Sequence, residues 1–317
     1  MKLKRMAALV LASCMTVLLA GCGAASNKDT GSAALPEGTP TLEEIYAANT
    51  LEAYQQANIQ PSLSTCLREG PDNKETNALL TLYWDKDLGL VARFRKTNMS
   101  FQYYFTRNNI NYSAAVTEDE DTVLTILADD AEERGEKEIT YAEKLFHQYG
   151  FGEYNSKEKL VSCTDSGDTY HIITDISAMS FTDSTGRTYT YTTQEYDVEK
   201  ETLRILDVFR TYRFTDANGT VKECTRSRCM TYTNKIVSLP DFMREGICEA
   251  DWSREFTLRY PDGTRDTVPV PDGISVLVEA PDGYEAYADS DCETVYSEDQ
   301  ADEDGVLPDR TVYIAKK

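Results

Sequence analysis

LLTLYWDKDLGLVARFRKTNMSFQYYFTRNNINYSAAVTEDEDTVLTIL, Leu79 to Leu127, decides the fold. Five apolar or alternating runs lie within it: Leu79–Trp84, Leu88–Arg95, Ser100–Thr106, Ile110–Ala115 and Thr122–Leu127. Asp85-Lys86-Asp87, Lys96-Thr97-Asn98, Arg107-Asn108-Asn109 and Thr117–Asp121 punctuate them. Runs of this length, rich in Tyr, Phe, Val and Ile, read as strands. Breaks this short between strands leave only hairpins, so the stretch predicts an antiparallel meander. The alternation predicts one dry face and one wetter face.

Working outward, Thr41 to Gln56 predicts a helix, with Thr41 and Glu44 spaced as a capping box. Its apolar side is Leu42, Ile45, Tyr46, Leu51 and Tyr54, interrupted at Asn49. A second helix is expected at Asp130–Tyr149, ended by Gly150 and Gly152. Strands are then expected at Lys159–Cys163, Thr169–Thr174, Thr188–Val198, Leu203–Phe214 and Val221–Thr233. The order is helix, meander, helix, meander. Beyond Trp252, Pro-Asp-Gly recurs at 261–263, 271–273 and 281–283. Pro presets φ, Asp favours turns and Gly tolerates positive φ, so short strands joined by tight turns are expected. Asp309–Ala315 supplies a last strand. Residues 252–317 therefore read as a small separate β-rich module.

The N-terminus reads MKLKRMAALVLASCMTVLLAGC. Lys2, Lys4 and Arg5 precede an apolar run from Met6 to Leu19, shorter than the roughly 20 residues a spanning helix needs. That pattern is a signal peptide. Leu19-Ala20-Gly21-Cys22 resembles the bacterial lipoprotein signal. The resemblance implies cleavage between Gly21 and Cys22 and acylation of Cys22, palmitate included. It also implies a lipid anchor on the extracytoplasmic face of a cell membrane. The expected division is then 1–21 signal peptide, 22–40 lipidated Cys and flexible stalk, 41–245 sheet domain and 252–317 module.

The element order over about 41–245 looks like the lipoprotein-carrier (LolA/LolB-like) fold. It is also similar to lipoproteins of Gram-positive gut bacteria that open with a helix like Leu42–Ala53. The implied class is α+β: a curved antiparallel sheet, or half-barrel, with helices on its concave side, plus the C-terminal module. Tyr260–Thr264, Pro271–Gly273, Gly283-Tyr284 and Asp309–Tyr313 give that module a likeness to the Listeria–Bacteroides repeat, a small β-grasp-like unit. The acidic stretch Ser297–Asp304 departs from that pattern.

Composition narrows the function. Net charge is −22, which argues against nucleic acid, whose binding needs clustered Lys and Arg. Only two histidines occur, His147 and His171. No zinc spacing, nucleophile elbow or phosphate loop is present, so no metal, cofactor or catalytic residue is assigned and the chain reads as non-enzymatic. Asp289-Ser290-Asp291-Cys292-Glu293 alternates oxygens as calcium loops do, but without their Gly and final Glu, and reads as a solvated acidic surface. An exported location favours disulfides among Cys66, Cys163, Cys224, Cys229, Cys248 and Cys292, while a domain this large also tolerates free thiols. Leu42, Ile45, Tyr46, Tyr103, Phe105, Tyr189 and Tyr191 are candidates for an apolar groove holding a lipid or peptide. The plainer reading of the same positions is a filled sheet core, since strands favour Tyr generally. The expected function is a lipid-anchored binding protein for such a ligand or for a protein partner. The alternative is a structural or adhesive surface protein without a pocket.

Cys22→Ser is expected to abolish incorporation of labelled palmitate and to release the chain from the membrane fraction. Undiminished labelling would exclude Cys22 as the acylated residue.

Overall fold

Asn49, where the first apolar stripe falters, is where the expected helix divides. Thr41 caps α1 (Leu42–Ala48) through a capping box: its Oγ1 accepts the Glu44 N–H at 3.2 Å, and the Glu44 carboxylate accepts the Thr41 N–H at 2.8 Å. Thr50 then caps α2 (Leu51–Gln56), accepting the Ala53 N–H at 3.1 Å. The Asn49 amide between them is buried and uses its full hydrogen-bonding capacity. Its Nδ2 donates to the carbonyls of Ile45 (2.7 Å) and Leu203 (2.9 Å), and its Oδ1 accepts from Tyr54 Oη (2.8 Å) and the Ile205 N–H (3.0 Å).

The structure is a computed structural model that describes residues 35, 38–69, 74–117, 121–129, 139–149, 155–183, 185–233, 238–297 and 310–317. The expected signal peptide, with Gly21 and Cys22, and most of the expected stalk lie outside these residues. So do residues 130–138, Gly150, Gly152 and Asp309. The described residues belong to one unit, Leu35–Lys317. Among them no helix is long and apolar enough to cross a membrane.

The expected meander is present as β2 (Lys74–Asp85), β3 (Gly89–Lys96), β4 (Gln102–Arg107), β5 (Ile110–Val116) and β6 (Thr122–Leu127), each antiparallel to the next. The second is β7 (Lys159–Ser166), β8 (Thr169–Asp175), β10 (Thr188–Glu199), β11 (Ile205–Thr215) and β12 (Val221–Thr233), with a two-residue β9 (Phe181–Thr182) on β10. Between the meanders lies β1 (Gln60–Glu69), a strand absent from the expectations. It pairs with β2 on one side and β12 on the other, Gln60 opposite Thr233, and so fuses both meanders into one curved, open sheet.

Parity of side chains assigns each face. On one face Leu63, Leu80, Leu82, Ala92, Phe94, Ile172, Tyr196, Val208 and Met230 pack against Leu42, Ile45 and Tyr54 of the first helices. Ala142, Leu145 and Phe146 of α3 (Tyr141–Tyr149) complete this core. On the other face Val91, Tyr103, Phe105, Tyr112, Leu124 and Ile126 meet a second sheet.

Residues within 252–317 build that second, small sheet. Its order is β14 (Arg265–Val270), β13 (Arg254–Arg259), β17 (Thr311–Lys316), β16 (Tyr284–Tyr287), with β13 and β17 parallel. The intervening β15 (Ser275–Glu279) leaves it and extends the large sheet, parallel to β6. The first Pro-Asp-Gly closes the β13–β14 hairpin, where Tyr260 and Thr264 are joined by a 3.1 Å backbone bond and Gly263 has φ +84°. The other two carry the chain out to the large sheet and back. Phe256, Val268, Val276 and Val312 are fully buried in the same core as Phe105 and Tyr112. The segment thus shares a core with the preceding domain. The short helix α4 (Asp241–Met243) runs on as a π-helical turn, Arg244–Cys248, and inserts Met243 and Ile247 there. Trp252 stands edge-on to Tyr112 at 5.5 Å.

Asn49→Ala takes the Oδ1 acceptor from the buried Ile205 N–H and the Tyr54 hydroxyl, and is expected to cost about 2–4 kcal/mol. Urea unfolding measures it, and an unchanged midpoint would remove the pin from the account. A chain ending at Asp251 uncovers Phe105 and Tyr112 and is expected to lose cooperative unfolding and near-ultraviolet circular dichroism. Retention of both would make 252–317 an independent module.

Candidate functional site

On the helix-covered face the helices stop short of the far end of β10, β11 and β12. Residues directly opposite one another in an antiparallel pair share a face. Tyr189 therefore lies beside Phe214 and Lys222, and Tyr191 beside Tyr212 and Cys224. Next come Gln194, Arg210 and Arg226, then Tyr196, Val208 and Arg228. Tyr191 and Gln194 share this face because a bulge between them adds one residue to β10.

The outer end is aromatic. Phe181 from β9 stacks on Tyr189 with centroids 4.9 Å apart. Tyr189 lies 6.0 Å from Phe214, and Tyr191 lies 5.6 Å from Tyr212. Tyr212 is buried, Tyr189, Tyr191 and Phe214 are half-buried, and Phe181 is exposed. Five rings thus form a platform at the surface.

The inner end is charged. A cavity of about 250 Å³ is floored by Gln194, Val208, Arg210, Arg226 and Arg228 and walled by Tyr46, His147 and Glu158. It borders the platform through Arg210, whose guanidinium sits 5.4 Å from the Tyr191 ring centroid. Glu158 is held by an Asn155 turn, where the Lys157 N–H donates to Asn155 Oδ1 at 3.0 Å and the Glu158 N–H to the Asn155 carbonyl at 2.8 Å. Its carboxylate is buried and accepts from three hydroxyls: Thr174 Oγ1 and Tyr196 Oη, each at 2.6 Å, and Tyr46 Oη at 2.8 Å. Burial, then the Glu158 charge, pushes the Tyr46 hydroxyl well above its ordinary pKa. For Tyr196 burial is the main cause, followed by Tyr46 and Glu158. Both stay proton donors. Burial, followed by neighbouring guanidiniums, lowers the pKa of Arg210 and Arg228. A cation there is poorly solvated and repelled by its neighbours.

The groove candidates separate. Leu42 and Ile45 are buried in the helix-side core, where the space is filled. Tyr103 and Phe105 face the opposite side, beneath the second sheet, because odd positions of β4 point there. They cannot share a groove with Leu42. Tyr46, Tyr189 and Tyr191 do converge, at the cavity and the platform. Sequence reading passed over Glu158, Arg210, Arg226 and Arg228. The available signal was Arg226-Ser-Arg228, two cations in phase on one strand of an acidic chain.

His147 lines the cavity, while His171 lies on the outer face with its Nδ1 2.9 Å from Asp197 Oδ1. The Asp289 carboxylate accepts the backbone N–H groups of Asp291, Glu293 and Thr294 and so folds its own loop. Cys66, Cys163, Cys224, Cys229, Cys248 and Cys292 form no disulfide among the described residues. Burial, then Asp85, pushes the Cys248 thiol up to about 12.

No protein-family model matches the chain, and a search of curated proteins finds no match. Among solved structures, the chain is similar to a DUF1329 family protein from Desulfovibrio piger, with 10% identity over 65% of this chain and 97% of that one (TM-score 0.27). A putative outer membrane lipoprotein-sorting protein domain from Vibrio parahaemolyticus shows 8% identity over 64% and 94% (TM-score 0.25). A chain of the MucA/MucB complex from Pseudomonas aeruginosa shows 11% identity over 71% and 74% (TM-score 0.28). TM-scores this low carry no argument about fold, ligand or partner.

Proposed function

We propose that the chain is a lipid-anchored extracytoplasmic binding protein that holds an apolar ligand, a lipid or a hydrophobic peptide, without chemical change. In this reading the sheet is a half-barrel, α1 to α3 fill part of its concave side, and the uncovered end receives the ligand. The carrying observation is the platform of Phe181, Tyr189, Tyr191, Tyr212 and Phe214, a contiguous set of rings at the surface. Aromatic faces bury large apolar area at small entropic cost. At about 25 cal/mol per Å² of apolar surface removed from water, a short acyl chain gains several kcal/mol there before association costs. The anchor at Cys22 keeps the platform near its source of lipid.

Native mass spectrometry of the chain, with uptake of 1-N-phenylnaphthylamine followed by fluorescence, tests this. Saturable uptake is expected, weakened about tenfold or more in Tyr189→Ser/Tyr191→Ser through loss of stacked ring area. A bare polypeptide mass with no probe uptake would turn the assignment to the adhesive or structural reading.

A further inference from the structure

We infer that the cavity beside the platform receives the anionic head of the ligand, an oxyanion such as a phosphate or carboxylate. This rests on the binding reading above and names the ligand class: an amphiphile with its apolar body on the rings and its head among Arg210, Arg226 and Arg228.

The argument begins with charge. A chain of net charge −22 places three arginines at one cavity. Arg210 and Arg226 stand directly opposite across β11 and β12, with Arg228 two residues along on the same face. Like charges facing across a sheet destabilise it, and burial makes the repulsion worse. Among the described residues one carboxylate, Glu158, lines the cavity. Its lone pairs are directed at Thr174, Tyr196 and Tyr46. Arg226 Nε is buried and meets no hydrogen-bond partner among the described residues. An internal core would be expected to replace such a cluster with apolar side chains, since buried charge is often no gain in stability. A bound oxyanion would give the Arg226 Nε an acceptor and add a countercharge to those of the described residues.

Shape agrees. Guanidinium forks match carboxylate and phosphate oxygens in bidentate geometry. The volume of about 250 Å³ lies below the roughly 300–1,000 Å³ of sites that enclose whole drug-sized ligands. It suits a head group with the remainder of the molecule outside. Arg210 both lines the cavity and sits 5.4 Å from the Tyr191 ring, so an alkyl chain attached to a head held there would lie against the platform.

The test is calorimetric titration of the full chain and of Arg226→Met with four probes: octyl phosphate, octanoate, octan-1-ol and inorganic phosphate. In the unsubstituted chain octyl phosphate or octanoate is expected to bind at least about tenfold tighter than octan-1-ol, as charge-assisted hydrogen bonds require. Added salt should narrow that gap, and Arg226→Met should collapse the ratio to about twofold or less. The two anions distinguish a phosphate head from a carboxylate head. Urea unfolding without ligand guards against trivial misfolding: removing a like charge is expected to leave the Arg226→Met midpoint unchanged or raised. Equal affinity for octyl phosphate, octanoate and octan-1-ol would overturn the anion site and leave the apolar reading standing. A preference retained in Arg226→Met, or a strongly lowered midpoint, would overturn it too, making Arg226 structural. Inorganic phosphate binding as tightly as octyl phosphate would support the anion site and overturn the platform. Failure of every probe to bind would overturn both.

Discussion

The buried Asn49 amide is the contact on which the arrangement of the helix-covered face depends. It joins the break between α1 and α2 to the Leu203 carbonyl and the Ile205 N–H at the start of β11, with both donors and both acceptor positions in use. A fully satisfied buried amide fixes position as well as energy, because any slip leaves unpaired groups away from water. The turn held there sets the direction of α1. That direction carries Tyr46 to the Glu158 carboxylate and to the Tyr196 hydroxyl, 2.9 Å away. One wall of the cavity is therefore placed by a side chain outside it.

The large sheet is covered unevenly. Its first half is sandwiched between helices and the second sheet. Its second half is covered by helices on one face, while the other carries Asp207, Phe209, Arg213 and Glu223 exposed to solvent. The platform lies where the helix cover also ends. A sheet with both faces dry has no room for a ligand, so the proposed binding surface is placed at this margin. The shared core explains why β15 crosses between sheets: Val276 completes the layer around Leu124 and Ile126.

Charge follows the same geography. Acidic side chains dominate the surface and keep the chain soluble and self-repelling. Among the described residues Arg210, Arg226 and Arg228 gather at the cavity that adjoins the aromatic platform. Desolvated guanidiniums facing each other are costly, and this is the strain that the proposed anionic head would relieve.

The sequence by itself determined the strands of the two meanders, their hairpin connections and the capped start of α1. These follow from alternation, turn chemistry and capping spacing, all settled within a few residues. It did not reveal β1, because Gln60–Glu69 alternates weakly and gains its stability from partners far along the chain, Thr233 among them. It did not separate the three Pro-Asp-Gly turns, because a turn reverses or redirects the chain alike and the destination sheet is set by where Val276 finds apolar neighbours. The groove candidates divided for the same reason. Tyr103 and Tyr191 look alike in sequence, but parity sends one beneath the second sheet, while a bulge brings the other to the arginines. Which face a residue occupies, and what covers that face, depends on register and long-range packing. Those belong to pairs of distant segments, so only the tertiary structure could decide them.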